Sequence, residues 1–470
     1  MNKLRLQTFI FLMMIPGFFV GSKNLYAATS QESKKSNIIL IFADDMGYGD
    51  VGIFGHPTIK TPNLDKLAFE GQKWTNFYVA ASVCTPSRAG LMTGRLPVRS
   101  GMCSDQKRVL YDNSKGGLPE SEITIASALK DAGYSTACIG KWHLGHLQPF
   151  DPNSHGFDYY YGIPYSNDMD HAFPDSVNYF EACANPKPGY FNVPLKRNRE
   201  IIEQPADQTT ITRRYTQEAI NFIKEKKDEP FFIYMAQSMP HVPLFPSKDF
   251  EGKSLRGTYG DVIEEIDWSV GQIVSALKEN GLEDNTLVVF TSDNGPWLLF
   301  NENGGSAGLL KGGKGGTYEG GMREPTVMWG PGLVKSGVVT DLGTTMDLLP
   351  TFCNLAGTQL PNDRVYDGYD LTQTIAGKSE SPRDVVIYYR GQKVFAIRKG
   401  AYKAHFITQP AYGMGGPKEL EIPELYNLNV DPSEKYNIAE QHPDVIAEIQ
   451  ILLKEHLASV VPVENQLEKY

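Results

Sequence analysis

The residues best suited to chemistry lie in short runs rather than singly. Cys84 opens the run Val83-Cys84-Thr85-Pro86-Ser87-Arg88-Ala89-Gly90-Leu91-Met92-Thr93-Gly94-Arg95. Thr85 can cap a helix and Pro86 fits a first turn, so a helix is expected from here to Gly94. Cys84 would then sit at a helix N-terminus, where free N–H groups and the dipole favour anions. Arg88, about one turn along, would return towards the same end. A core cysteine beside a surface arginine is the plainer alternative.

Asp44-Asp45 and Asp293-Asn294 each follow an apolar run, NIILIFA and TLVVFT. Oxygen-rich pairs at two strand ends suit a hard cation such as calcium. Each pair alone could equally be a turn. Lys141 and His143 stand two apart after another apolar stretch. In a continuing strand they would project to one side, ready for an anion. His241 lies between Pro240 and Pro243, which fix the backbone around it. Lys314 sits among Gly312, Gly313, Gly315 and Gly316, which allow close backbone approach to a ligand. Lys311 competes with it, and spacing does not separate them.

Alternating apolar runs and amphipathic stretches must position these groups. Strands are expected at residues 37–43, 134–139, 230–237 and 286–291. Helices are expected at 63–70, 123–132, 209–227 and 257–280. That alternation predicts an α/β fold, a mixed and mostly parallel sheet between helices. Strand ends in such sheets line the ligand crevice. Residues 149–205 lack periodicity and read as long ordered loops over the sheet. From about residue 380 the pattern changes to a smaller α+β subdomain. Its expected elements are strands at 385–389, 394–406 and 425–428, and a closing helix at 443–459. Tight-turn residues 390–393 join the first two strands. The expected division is a catalytic domain at 37–379 and a C-terminal subdomain at 380–470.

The 470-residue chain is 41% hydrophobic and 21% charged, ordinary for a folded protein. Its net charge of −10 argues against nucleic acid as a partner. An anionic substrate would need a local basic cluster. Lys3, Arg5 and the apolar stretch 9–20 read as a secretory signal ending at Ala27, too short to span a bilayer. Residues 28–36 read as a disordered lead. Export to the periplasm or outside the cell is expected, with no stable membrane insertion. With Cys84 set aside, the other four cysteines allow two disulfides or none.

Taken in order, ADDMGYGDVG, TPNLDKLA, CTPSRAGLMTGR, GKWHLG, PHVP, SDNG, GKGGTYEGGMREP and ELYNLNVDPSEKYNIA resemble the type I sulfatases. The likeness is strongest to the arylsulfatase A and N-acetylgalactosamine-6-sulfatase branch and spans the whole mature chain. It implies a sulfatase/alkaline-phosphatase-like fold. It also implies that Cys84, in the pattern C-x-P-x-R, is oxidised by a formylglycine-generating maturation enzyme to Cα-formylglycine, whose hydrated aldehyde is the nucleophile. By position, Asp44, Asp45, Asp293 and Asn294 match calcium ligands, and modified Cys84 touches the metal. Arg88, Lys141 and His143 match groups that hold and activate the hydrated aldehyde. His241 and Lys314 match the pair that grips sulfate near the bridging oxygen. The implied activity is hydrolysis of sulfate esters on a carbohydrate, in glycan degradation.

Aromatic residues within 157–190 and 297–303 are expected to stack on sugar rings. His405 is taken as a substrate contact, although a lone histidine is more often structural. Two alternatives stand beside the sulfatase reading. One is a phosphonate monoester or phosphodiester hydrolase of the same superfamily. The other is an unmodified, inactive sugar-binding homologue.

Overall fold

The computed structural model describes residues 35–470. The expected signal and nearly all of the expected lead lie outside these residues. Among those described, no helix is long and apolar enough to cross a membrane.

One sheet holds β1 Asn37–Ala43, β2 Gln72–Tyr78, β3 Ser135–Gly140, β4 Tyr159–Gly162, β5 Leu195–Arg197, β6 Glu200–Glu203, β7 Phe231–Ala236, β8 Thr286–Ser292, β9 Thr326–Trp329 and β10 Gly337–Thr344. Their order is β10-β2-β9-β8-β1-β7-β3-β4-β5-β6. The consecutive strands β8, β1, β7, β3 and β4 are all parallel to one another. The antiparallel pairs lie outside that block, at β8–β9, β9–β2, β4–β5 and β5–β6.

The run NIILIFA forms β1 because both its faces are covered. Ile39, Ile41 and Ala43 enter one core, while Ile38, Leu40 and Phe42 enter the other. Period-two side chains on a doubly covered strand give a continuous apolar run. The first core is closed by helices Pro62–Glu70, Ile211–Glu225 and Thr258–Glu279. The second is closed by helices Cys84–Thr93, Ile125–Asp131 and Leu348–Leu355. A fully buried aliphatic side chain contributes roughly 1.5–3 kcal/mol, so β1 is a main anchor of the site that follows it.

The smaller sheet is an antiparallel meander of β11 Val385–Arg390, β12 Lys393–Lys399, β13 Tyr402–Thr408 and β14 Lys418–Asn427. Helix Pro443–Ser459 packs on it through Ile446 and Ile449.

The fold class matches expectation, but several elements differ. The single strand expected at 394–406 is two strands, because the chain reverses at Gly400 with φ 53°. The strand expected at 425–428 is the end of the longer β14. The stretch 149–205 supplies β4, β5 and β6 as well as loops. Strands β2, β9 and β10 are additions to the expected set.

Candidate active site

Parallel register gathers the strand ends. Ala43 pairs with Ser292, Phe42 with Ala236, and Gly140 with Ala236. The residues after β1, β3, β7 and β8 therefore leave one edge of the sheet together, as ligand crevices in such folds require. These are Asp44-Asp45, Lys141, the segment leading to His241, and Asp293-Asn294. Asp45 is left-handed at φ 65°, a conformation costly for a non-glycine residue and common at functional sites. Its amide is fixed by Asp293 Oδ1 at 3.0 Å.

Helix Cys84–Thr93 begins at Cys84 itself, and every residue in it is buried. Val83 is the N-cap and has no side-chain cap bond. Thr85 is not the cap that its type suggested. Its hydroxyl donates to the His143 carbonyl at 3.0 Å and accepts the Leu110 amide at 3.2 Å. Gly94 closes the helix in the left-handed region, as expected. Arg88 reaches back one turn. Its Nε and Nη2 both donate to Asp293 Oδ2, at 3.0 and 2.7 Å, and Nη2 lies 3.5 Å from Asp44. A fork held this way is a strong, oriented contact.

The ligand atoms of Asp44, Asp45, Cys84 and Asp293 all lie within 4.8 Å of one another, and all four residues are buried. Burial would raise the Asp44 carboxyl, but Lys141, His241, Arg88 and Lys314 together hold it well below the usual range. Asp293 goes the other way, pushed up to about 7 by burial and then by Asp44. Like charges sharing a site force such a split. Asn294 Oδ1 is buried without a hydrogen-bond partner, while its Nδ2 donates to Asp45 Oδ1 at 2.7 Å. Crowded carboxylates plus one orphaned amide oxygen form a donor set that fits a hard divalent cation. Burial pushes the Cys84 thiol up. A protonated buried thiol is a poor nucleophile.

Four basic residues complete the cluster. Lys141 Nζ donates to Asp44 Oδ2 at 2.5 Å and to Ser166 Oγ at 3.2 Å. Lys314 Nζ donates to Asp45 Oδ2 at 2.8 Å and stands 4.2 Å from the Trp297 ring centre. Its rival Lys311 turns away, to the Glu434 carbonyl at 3.3 Å and the Tyr318 ring. His241 Nε2 lies 3.5 Å from Asp45 and 3.4 Å from Ser166 Oγ. Burial, then Lys314, keeps the His241 ring below its ordinary value. Next to Lys314, Gly315 has φ 79°, and a Cβ there would sit 2.4 Å from the Tyr412 ring. Only glycine fits that position.

His143 joins the set by a different route from the one expected. The strand stops at Gly140, and His143 is left-handed at φ 59°. The two-residue alternation with Lys141 therefore does not apply. His143 Nε2 meets the Leu110 carbonyl at 2.8 Å, and its Nδ1 is buried and unpartnered. Burial and then Lys141 hold this ring well below the ordinary histidine value.

His405 is not brought to the cluster. It is fully buried, with Nε2 on Glu434 at 2.7 Å and its ring against Tyr318 and Tyr426. Its place is the junction with the smaller sheet. The five cysteines are all free. Of the aromatics named for sugar stacking, Phe157 is buried under the sheet. Trp297 and Phe300 form an edge-on pair beside His241, and the half-exposed Phe180 meets Phe300. Ser166 and Asp168 escaped sequence reading. Asp168 takes the Tyr179 hydroxyl at 2.6 Å and leaves Oδ1 unpartnered. Both sit in aperiodic loop, where no pattern marks them.

A protein-family model described as Sulfatase matches residues 36–358, and one described as C-terminal region of aryl-sulfatase matches residues 381–470. Arylsulfatase A of Homo sapiens is 42% identical over 467 residues, covering 93% of this chain and 90% of the relative. N-acetylgalactosamine-6-sulfatase of Mus musculus is 39% identical over 471 residues, covering 92% and 88%. The crystal structure of the PsFucS1 sulfatase from Pseudoalteromonas sp. superimposes with a TM-score of 0.80 at 31% identity, covering 91% of this chain and 90% of that one.

Proposed function

The chain belongs to the sulfatase family and is a sulfuric ester hydrolase, and from that premise we propose that it removes sulfate esters from a glycan, using Cys84 converted to Cα-formylglycine and a calcium ion. The crowding of Asp44, Asp45, Cys84 and Asp293 within 4.8 Å of one another carries this reading. Asp44, Asp45, Asp293 and Asn294 would hold the ion, with residue 84 touching it. When bound, calcium would neutralise the carboxylates and stabilise negative oxygen on residue 84 and on the sulfate. Once formed, the aldehyde at residue 84 would supply a hydrate with two hydroxyls, one for attack and one for release of sulfate, which a serine does not offer.

The chain's own groups then have definite tasks. Arg88, fixed on Asp293, places a cation beside residue 84. A carbonyl only accepts, so His143 carries its hydrogen on Nε2, towards Leu110, and its bare Nδ1 is free to accept from a hydroxyl on residue 84. Lys141 and Lys314 hold the sulfate oxygens, where charge grows in the transition state. His241 Nδ1 donates to the Val242 carbonyl at 2.5 Å, so Nε2 is the atom that carries a proton to the departing sugar oxygen. The name of the N-acetylgalactosamine-6-sulfatase relative supports a sugar sulfate as substrate.

The same reading takes residues 37–379 as the catalytic domain and 380–470 as its subdomain. It places the protein in the periplasm or outside the cell after removal of residues 1–27, with a formylglycine-generating enzyme as its maturation partner.

The test is mass and turnover on protein made with that enzyme. Conversion of cysteine lowers the intact mass by about 18 Da. Sulfate release from defined sulfated mono- and disaccharides is then compared with turnover of phosphonate esters. Fast turnover by protein still carrying the Cys84 thiol, or a wide preference for phosphonates, overturns the proposal.

A further inference from the structure

A cavity of about 680 Å³ opens beside the site, between the Ser82-Val83-Pro86 segment and the smaller sheet. Val83 and Pro86 flank Cys84 in the chain. Both walls are tied to the Lys314 loop: the Tyr412 amide donates to the Lys314 carbonyl at 3.0 Å, and the Gly315 amide donates to the Ser82 carbonyl at 2.8 Å. A group bound here would sit next to whatever residue 84 and Lys314 hold.

Two arginines face this cavity. Arg108 stands 4.2 Å from the centre of the Tyr412 ring and Arg390 stands 5.2 Å from it. Among the described residues, neither forms an ion pair with a carboxylate within 4.0 Å. Two carboxylates also line the cavity, and neither pairs with these arginines. Asp105 accepts the Gln392 amide at 2.8 Å, and Glu419 pairs with Lys393 at 3.4 Å. Arg390 is aimed by a bond from Nη1 to the Gly315 carbonyl and by its contact with the Tyr412 side chain. Arg390 is half-buried, and burial lowers its proton affinity; Tyr412 opposes that shift and the nearby Arg108 adds to it.

Two unpaired guanidinium groups around one ring are costly unless something negative joins them. Guanidinium forks match carboxylate and sulfate oxygens. The protein's net charge of −10 makes such an unpaired cationic pair more pointed.

We propose that Arg108 and Arg390 form a second anion subsite, which binds a carboxylate or sulfate group on the sugar next to the one that loses its sulfate. This rests on the sulfatase reading above and narrows its substrate to glycans with anionic groups on adjacent sugars.

Three sulfated disaccharides test it. One carries a uronic acid beside the sulfated sugar, one is its carboxyl-reduced counterpart, and one carries a second sulfate there instead. The readout is the ratio of kcat/KM for each anionic substrate over the neutral one. In the unaltered enzyme at least one ratio should be about tenfold or more. Whether the carboxylate or the sulfate gives it identifies the natural group. Arg108→Ala removes a side chain whose contact among the described residues is the Tyr412 ring, and should bring that ratio close to one, mainly through KM. Arg390→Lys keeps the charge but loses the fork, and should fall between. Ratios near one in the unaltered enzyme, or a ratio unchanged by R108A, overturn the subsite. Calorimetry of the same sugars on Cys84→Ala separates the two proposals. Anion preference in binding without turnover by the mature enzyme counts against the sulfatase reading alone. Turnover without preference counts against the subsite alone.

Discussion

Two buried clusters in this molecule are built from the same side chains and behave oppositely. Around Cys84, three carboxylates stand together, Asp44, Asp45 and Asp293. At the junction with the smaller sheet, Glu319 stands among donors. It accepts the Tyr78 hydroxyl at 2.6 Å, the Tyr388 hydroxyl at 2.7 Å and Lys403 at 3.0 Å, with Arg323 at 3.6 Å. Burial opposes the charge in both places. At the junction, Lys403, Arg398 and Arg323 win, and the Glu319 carboxyl is held down at about 2. At the site, Asp44 repels Asp293, which rises to about 7. The junction is a finished clasp. At the site three carboxylates face three cations, Lys141, Lys314 and Arg88, but the carboxylates crowd one another, and an amide oxygen has no donor. Burial of charge does not by itself mark a functional site. Like charges crowded together, with their proton affinities split, do.

The sharpest way to break this contrast is to remove one of the crowded carboxylates. Asp293→Asn should lower kcat/KM for a sulfate ester by at least about 10³-fold, since it removes a proposed cation ligand and the seat of Arg88 together. Calcium added to metal-free protein should raise Tm of the unaltered chain, because an ion that binds only the folded state stabilises it. The variant should show little or no rise. An equal rise in both proteins would mean that calcium binds elsewhere.

The clasp should fail differently. Glu319→Gln leaves Arg398 and Arg323 buried without their counter-charge and Lys403 with Glu434 alone, which costs about 3–5 kcal/mol in denaturant titrations. The activity of the protein that remains folded should change far less than in Asp293→Asn. The pH dependence has a definite sign. The folded value of Glu319, about 2, lies below the ordinary 4.5. Its contribution is therefore fully present above pH 4.5 and is lost as pH falls from there towards about 2. The difference corresponds to about 3 kcal/mol. Stability of Glu319→Gln should fall less steeply over that window than stability of the unaltered chain. Parallel curves would show that Glu319 is not the group that titrates.

A smaller effect is expected at His241. Its free-enzyme value lies below the ordinary 6.5, because of burial and then Lys314. A proton donor must be charged to act. kcat/KM, which reports the free enzyme, should therefore fall as pH rises through a midpoint below 6.5. His241→Asn should lower the rate and flatten that limb. An unchanged limb in the variant would assign the proton to another group, with Lys314 the next candidate.

The parts legible in the sequence share a physical cause. NIILIFA and TLVVFT read as strands because burial on both faces leaves no polar positions, and the groups just after them fell at the sheet's edge by topology alone. Strand β2, Gln72–Tyr78, is interior yet reads as QKWTNFY, because its polar side chains bond outward. Asn76 donates to the Thr340 carbonyl at 2.7 Å, and Thr75 to Val339 at 3.2 Å. Gly400 was the available sign that 394–406 is two strands, since a left-handed turn needs it or Asn. Thr85 was misread for another reason. A hydroxyl next to a helix start is an excellent cap unless a distant chain segment takes it, and the His143 carbonyl does. Sequence spacing carries no information about that partner.

His405 is where the two clusters are most easily confused, and it carries the smallest expected effect. As a lone histidine on the C-terminal subdomain it reads as a substrate contact, but the fold places it on the clasp. Its Nε2 faces the Glu434 carboxylate at 2.7 Å, so that nitrogen donates. Burial, then Lys403, lowers its proton affinity, which keeps the ring neutral and Nδ1 without a hydrogen. His405→Gln can keep the donor while changing the shape. It should cost about 1–2 kcal/mol of stability, the usual range for a disturbed buried hydrogen bond, and leave kcat/KM within about threefold. Both quantities are needed, from denaturant titration and from sulfate release. A loss of tenfold or more in kcat/KM with stability unchanged would move His405 from the clasp to the substrate pocket, and would mean that the junction reaches the sugar through its histidine.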